Sequence, residues 1–113
     1  RTLIRQEEQQ LYEYDEYKLQ IRRLDFGKKR GIYEFSTYDP ETKDTPPSWG
    51  LHPYAEVGVI LEGKMEVNLD GTVYLLGPGD SIYIKPNLYH TMRNAGDTPC
   101  RSFWHLQIMD DSV

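Results

Sequence analysis

The 113-residue chain is short of cross-links, of positive charge and of long apolar runs. Its one cysteine, Cys100, excludes an internal disulfide and reads as a small buried hydrophobe in a reducing compartment. No apolar run approaches the roughly 20 residues that span a bilayer, and no secretory h-region is present. The expectation is therefore a soluble, cytoplasmic protein with no membrane partner. Lys and Arg number 13 against 18 Asp and Glu, and the net charge of −5 argues against direct nucleic-acid binding. Histidines are scarce too, so imidazole chemistry rests on His52, His90 and His105. The length suits one domain, residues 1–113, with its own core. The chain opens at Arg1 without Met, as a piece of something longer would.

What is present points to strands. Tyr, Val, Ile and Thr favour pleated, half-buried surfaces, and nine Tyr dominate the 12% aromatic content. From Val57 onward turn signals recur at short, even intervals, the pattern of an all-β sandwich or barrel. Residues 56–61 form an apolar run, and in 64–69 alternation puts Met65, Val67 and Leu69 on one face. Asp70-Gly71 predicts a tight hairpin, because both turn positions need positive φ. Further strands are expected at 72–76, 81–84, 90–93 and 100–108, with turns at Gly77-Pro78-Gly79-Asp80, Lys85-Pro86-Asn87 and Asn94-Ala95-Gly96-Asp97.

Upstream, residues 17–24 and 32–36 read as strands about the basic turn 27–31, with 2–5 as an edge strand. Residues 6–16 read as a loop or one helical turn, a solvated acidic face with partly packed tyrosine rings. Residues 38–49 carry Pro40, Pro46 and Pro47 and read as a long loop able to lid a barrel mouth. The polar tail 109–113 reads as frayed.

Two segments carry chemistry. His52-Pro53-Tyr54-Ala55-Glu56 places an imidazole and a carboxylate four residues apart, about 13 Å along a straight strand. A bend at Pro53 would let His52 close one strand and Glu56 open the next, both facing inward. His90 sits at the start of a later strand. Two imidazoles and one carboxylate suit a divalent transition metal (Fe, Mn, Ni or Zn) with positions left open for water or a small molecule. Asn94 fits a turn better than a ligand role. His105 is a candidate extra pocket residue, although alternation puts it opposite the more apolar set Trp104, Leu106 and Ile108. Tyr54, Tyr83 and Met92 complete the candidate pocket, and Tyr54, Tyr83, Tyr89 and His105 are the candidates for proton transfer.

These segments resemble the two motifs of the cupin superfamily. The first motif, H-x-H-x3-E-x6-G, is met in spacing by His52, Glu56 and Gly63, in residues 50–63, and Gly50 stands where the first histidine is expected. The second, G-x5-P-x-G-x2-H-x3-N, is met in spacing by Gly79, Lys85, Asn87, His90 and Asn94, residues 79–94. Asn87 for glycine is mild, because Asn tolerates left-handed geometry, and Pro86 can stiffen the turn that Lys85 enters. Gly50 is the serious departure, since it leaves three ligands of four. The resemblance implies a double-stranded β-helix, or jelly-roll β-barrel, in a homodimer. It implies a barrel that binds a small molecule beside a metal held by His52, Glu56 and His90. The chain is also similar to the sensing domains of cupin-containing transcription regulators. The alternative is a metal-dependent oxygenase, isomerase or lyase acting on a small polar substrate.

Overall fold

The computed structural model describes residues 2–27 and 30–108. Its strands are β1 (Gln10–Tyr14), β2 (Leu19–Asp25), β3 (Ile32–Tyr38), β4 (Ser48–Gly50), β5 (Glu56–Glu62), β6 (Met65–Leu69), β7 (Thr72–Leu76), β8 (Ser81–Ile84), β9 (His90–Asn94) and β10 (Cys100–Leu106). They form a six-stranded sheet, β1-β2-β3-β10-β5-β8, and a four-stranded sheet, β4-β9-β6-β7, all paired antiparallel. The two sheets close as a jelly-roll β-barrel.

Alternation builds the core between them. Cys100, Ser102, Trp104 and Leu106 of β10 are buried, while Phe103 and His105 face the other way. Met65 and Val67 of β6, Ile60 of β5 and Ile84 of β8 are essentially inaccessible. Each such side chain contributes about 1.5–3 kcal/mol on burial. Trp104 lies flat across β5 because position 58 has no side chain: a Cβ on Gly58 would stand 2.4 Å from the indole ring. Burial also pushes the Cys100 thiol up to about 11, so it stays an inert hydrophobe.

The turns follow their chemistry. Asp70 and Gly71 take φ of 48° and 98°, closing the β6–β7 hairpin with Leu69 opposite Thr72. Asn87 takes φ of 61°, as its turn requires of a non-glycine.

The N-terminal half differs from expectation. Residues 2–5 form no strand; the edge strand is β1, flanked by single 3-10 turns at Gln6–Glu8 and Asp15–Tyr17. No side chain of β1 is buried, so its sequence carries no apolar period to read. Register instead joins it to β2, with the Arg23 guanidinium 5.3 Å from the Tyr12 ring centre. The long loop after β3 is not free over the mouth. Arg93 donates to the Glu41 carboxylate at 2.9 Å and to the Thr45 carbonyl at 3.1 Å, tying the loop to β9. Asn94 acts as a turn clip, donating to the Tyr38 and Thr98 carbonyls and accepting from the Gly96 amide. Lys28 and Lys29 of the basic turn and the tail 109–113 lie outside the described residues. Among those described, no helix is long and apolar enough to cross a membrane.

Candidate metal centre

The two motifs meet inside the barrel. His52 sits in the turn between β4 and β5, Glu56 opens β5, and His90 opens β9 opposite Gly50 of β4 and Leu69 of β6. The backbone N–H of Asn87 donates to the His52 carbonyl at 2.8 Å, which fixes one motif against the other. His52 and Glu56, too far apart on a straight strand, are brought together by the bend at Pro53-Tyr54.

Each imidazole is aimed by its own Nδ1. His52 Nδ1 lies 2.9 Å from the Tyr54 carbonyl, and His90 Nδ1 lies 2.9 Å from the Leu88 carbonyl. A carbonyl only accepts, so both Nδ1 atoms carry hydrogen and both neutral rings turn an Nε2 lone pair inward. The Tyr54 ring stacks on His52 at 4.0 Å between centres, and His52 meets His90 edge-on at 5.1 Å. Both Nε2 atoms lie 3.5 Å from Glu56 Oε2, beyond good hydrogen-bond length, and Oε2 is buried with no hydrogen-bond partner.

Three potential ligand atoms thus lie within 4.8 Å of one another. An unpartnered carboxylate oxygen in a buried site is costly. Burial alone would lower the His90 pKa, but the Glu56 carboxylate and the Leu88 carbonyl leave it raised. A proton on one imidazole would satisfy one contact; a divalent cation would satisfy all three atoms. The donor set fits such a cation.

A sequence profile of the cupin domain matches residues 34–106, well over half of the chain. The chain belongs to the cupin family. Among curated proteins this cupin is similar to "Polyketide synthase CurC" of Streptomyces cyaneus, 39% identical over 56 residues. That match covers 49% of the chain and 36% of the relative, so this cupin spans little more than a third of CurC. Among solved structures it is similar to the iron(II) form of HppE, with a TM-score of 0.79, 15% identity, and coverage of 92% of this chain and 59% of that one. It is also similar to the cupin domain of an XRE-family transcriptional regulator from Enterobacter cloacae, with a TM-score of 0.71, 14% identity, and coverage of 82% and 99%. At such identities the structural likeness speaks for the fold alone.

Position 50 points straight at the site of this cupin. A Cβ on Gly50 would lie 2.7 Å from His90 Nε2, so the His90 ring fills the space that a side chain there would enter. His105 does not supply the missing group. It lies on the outer face of β10, stacked on Tyr33 at 4.7 Å, with its Nε2 against Gly31. Tyr83 is 57% exposed on the edge strand β8, away from the cavity, and Tyr89 is half-exposed against Trp49. Met92 does line the cavity, and Tyr54 reaches it only through His52.

The cavity beside His52, Glu56 and His90 measures about 320 Å³. Sequence reasoning missed much of its wall: Tyr14, Tyr17, Glu34, Trp49 and Trp104. Glu34 is the largest omission. Its Oε2 accepts from Arg23 Nε at 3.0 Å and Nη2 at 2.9 Å. Burial raises its carboxyl pKa, with Arg23 pulling the other way. Alternation from buried Ile32 would have flagged it, since position 34 shares that inward face.

Proposed function

We propose that this cupin binds a small molecule in its barrel beside a divalent transition metal held by His52, Glu56 and His90. One observation carries the reading: two imidazole Nε2 atoms and a buried carboxylate oxygen without a hydrogen-bond partner among the described residues converge within 4.8 Å of one another. Such an ion would polarise a carbonyl or activate bound water. The protein's own residues orient the ligands through Nδ1 and shield them in an aromatic cavity. A sensing role, like that of a regulator's cupin domain, is favoured over an enzyme. Of the four residues expected to move protons, Tyr83 and Tyr89 are surface-exposed and His105 is on the outside of the barrel. The Tyr38 hydroxyl, which does line the cavity, is held to Ser48 at 2.6 Å and raised by burial far above its ordinary pKa.

Protein purified without chelator is expected to carry close to one equivalent of transition metal by elemental analysis. His52→Ala and His90→Ala should each lose it, and His105→Ala should keep it. Metal-free wild type, or equal loss in all three variants, would overturn the assignment.

We propose a homodimer on the same reading. The outward face of β3, β10 and β5 presents Tyr33, Phe35, Phe103, Val57 and Leu61, the last two 38% and 42% exposed. Light scattering across the micromolar range should give twice the chain mass; a monomer throughout would refute it.

A further inference from the structure

The cavity wall away from the metal centre has a chemistry of its own. Among the described residues its lining includes Glu34 and Glu56 but no Lys or Arg. The Arg23 guanidinium beside it is engaged twice by Glu34 Oε2 and covered by the Tyr12 ring. Glu34 Oε1 makes no hydrogen bond to any described residue, and it remains an acceptor. Glu34 lies two strands over from Glu56 and two residues along, about 12 Å between Cα atoms by strand spacing and rise. Between them stand flat surfaces. Trp104 forms one wall, Tyr17 and Tyr38 others, and Trp49, 63% exposed, sits at the rim. A volume of about 320 Å³ lies at the small end of ligand cavities, enough for one substituted ring.

We propose that the ligand is a single-ring, planar molecule whose end away from the metal is an uncharged hydroxyl donor received by Glu34. The assignment rests on the small-molecule reading above and adds its chemical class. Aromatic walls favour a flat ring by stacking and area. A carboxylate at the far end would meet the Glu34 carboxylate, with Arg23 already engaged by that same group. A hydroxyl there completes the carboxylate's hydrogen bonding instead. Glu34 is accordingly a specificity-determining residue.

A matched pair of probes tests this on the zinc-loaded chain. Both 3,4-dihydroxybenzyl alcohol and 3,4-dihydroxybenzoate offer the same two oxygens to the metal and differ only at the far end. Calorimetric titration should show the alcohol binding at least tenfold more tightly. Glu34→Gln should erase or reverse that ratio, because it weakens the acceptor and frees Arg23 to attract the acid. Equal affinities in the wild type, or a ratio untouched by Glu34→Gln, would overturn the proposal. Should Glu34→Gln fail to fold, the exposed Trp49→Ala decides. It should weaken both probes about tenfold and preserve their ratio, and unchanged affinity would count against the ring-stacking cavity. Zinc uptake is read separately by elemental analysis. A chain that takes up no zinc yet prefers the alcohol removes the metal reading alone; full zinc uptake without the preference removes this one alone.

Discussion

Glu56→Gln is expected to abolish metal retention while making the metal-free barrel more stable. The two effects have opposite signs because the carboxylate is misplaced unless a cation joins it. Oε2 is buried, 3.5 Å from each of two imidazole Nε2 atoms, and hydrogen-bonded to none. In metal-free protein at pH 8, an amide nitrogen in its place would donate to one of those lone pairs. Removing an unsatisfied buried charge should then raise the unfolding free energy by about 1–2 kcal/mol, read in urea after chelator treatment. Metal affinity should fall by at least about 100-fold, since an anionic ligand to the metal is lost. If Glu56 were instead a structural clamp between two imidazolium rings, the same substitution would destabilise the metal-free protein. That outcome would remove the metal centre from the account.

Gly58→Ala should be a strongly damaging single-methyl change. Three atoms of the Trp104 ring stand between 2.4 and 2.6 Å from where the new Cβ would go. The ring is tethered, because its Nε1 donates to Ser102 Oγ at 2.8 Å, and any retreat would break that bond and push the indole into the cavity that it walls. Overpacking of this kind costs about 1–3 kcal/mol, which for a domain of this size lowers Tm by about 10 °C. Calorimetry on Gly58→Ala, Trp104→Leu and the double variant separates the causes. The double variant should lose less than the sum of the singles, and strict additivity would show that the indole is not what the methyl strikes.

The C-terminal half of this cupin was legible because its signals are local. Asp70-Gly71, the Gly79-Asp80 turn and the alternation of Met65, Val67 and Leu69 each specify geometry within a few residues. The site triad was legible for the same reason, as motif spacing around a bend at Pro53. What stayed hidden depends on pairing between distant strands. Arg23 finds Glu34 only through the register of β2 on β3, although the inward phase of Glu34 itself could be read from alternation along β3. β1 is a strand by virtue of its neighbour rather than its own pattern. The residues after β3 read as a free loop because the Arg93 anchor lies some 50 positions downstream. His105 kept its phase on β10 as alternation required, and that phase carries it outside.

The position of β10 has a consequence for how the molecule comes into being. This strand follows all the others along the chain, yet it lies mid-sheet, inserted between β3 and β5. Its partners were made from about 40 to more than 70 residues earlier. During synthesis His52, Glu56 and His90 all leave the ribosome before Trp104, the wall that closes over them. On the metal reading, these three residues would meet an ion while the barrel is still an open clam, and the cell's free metal at that moment would bear on which ion is taken up. Closure by long-range pairing is slow relative to hairpin formation, so this window lasts.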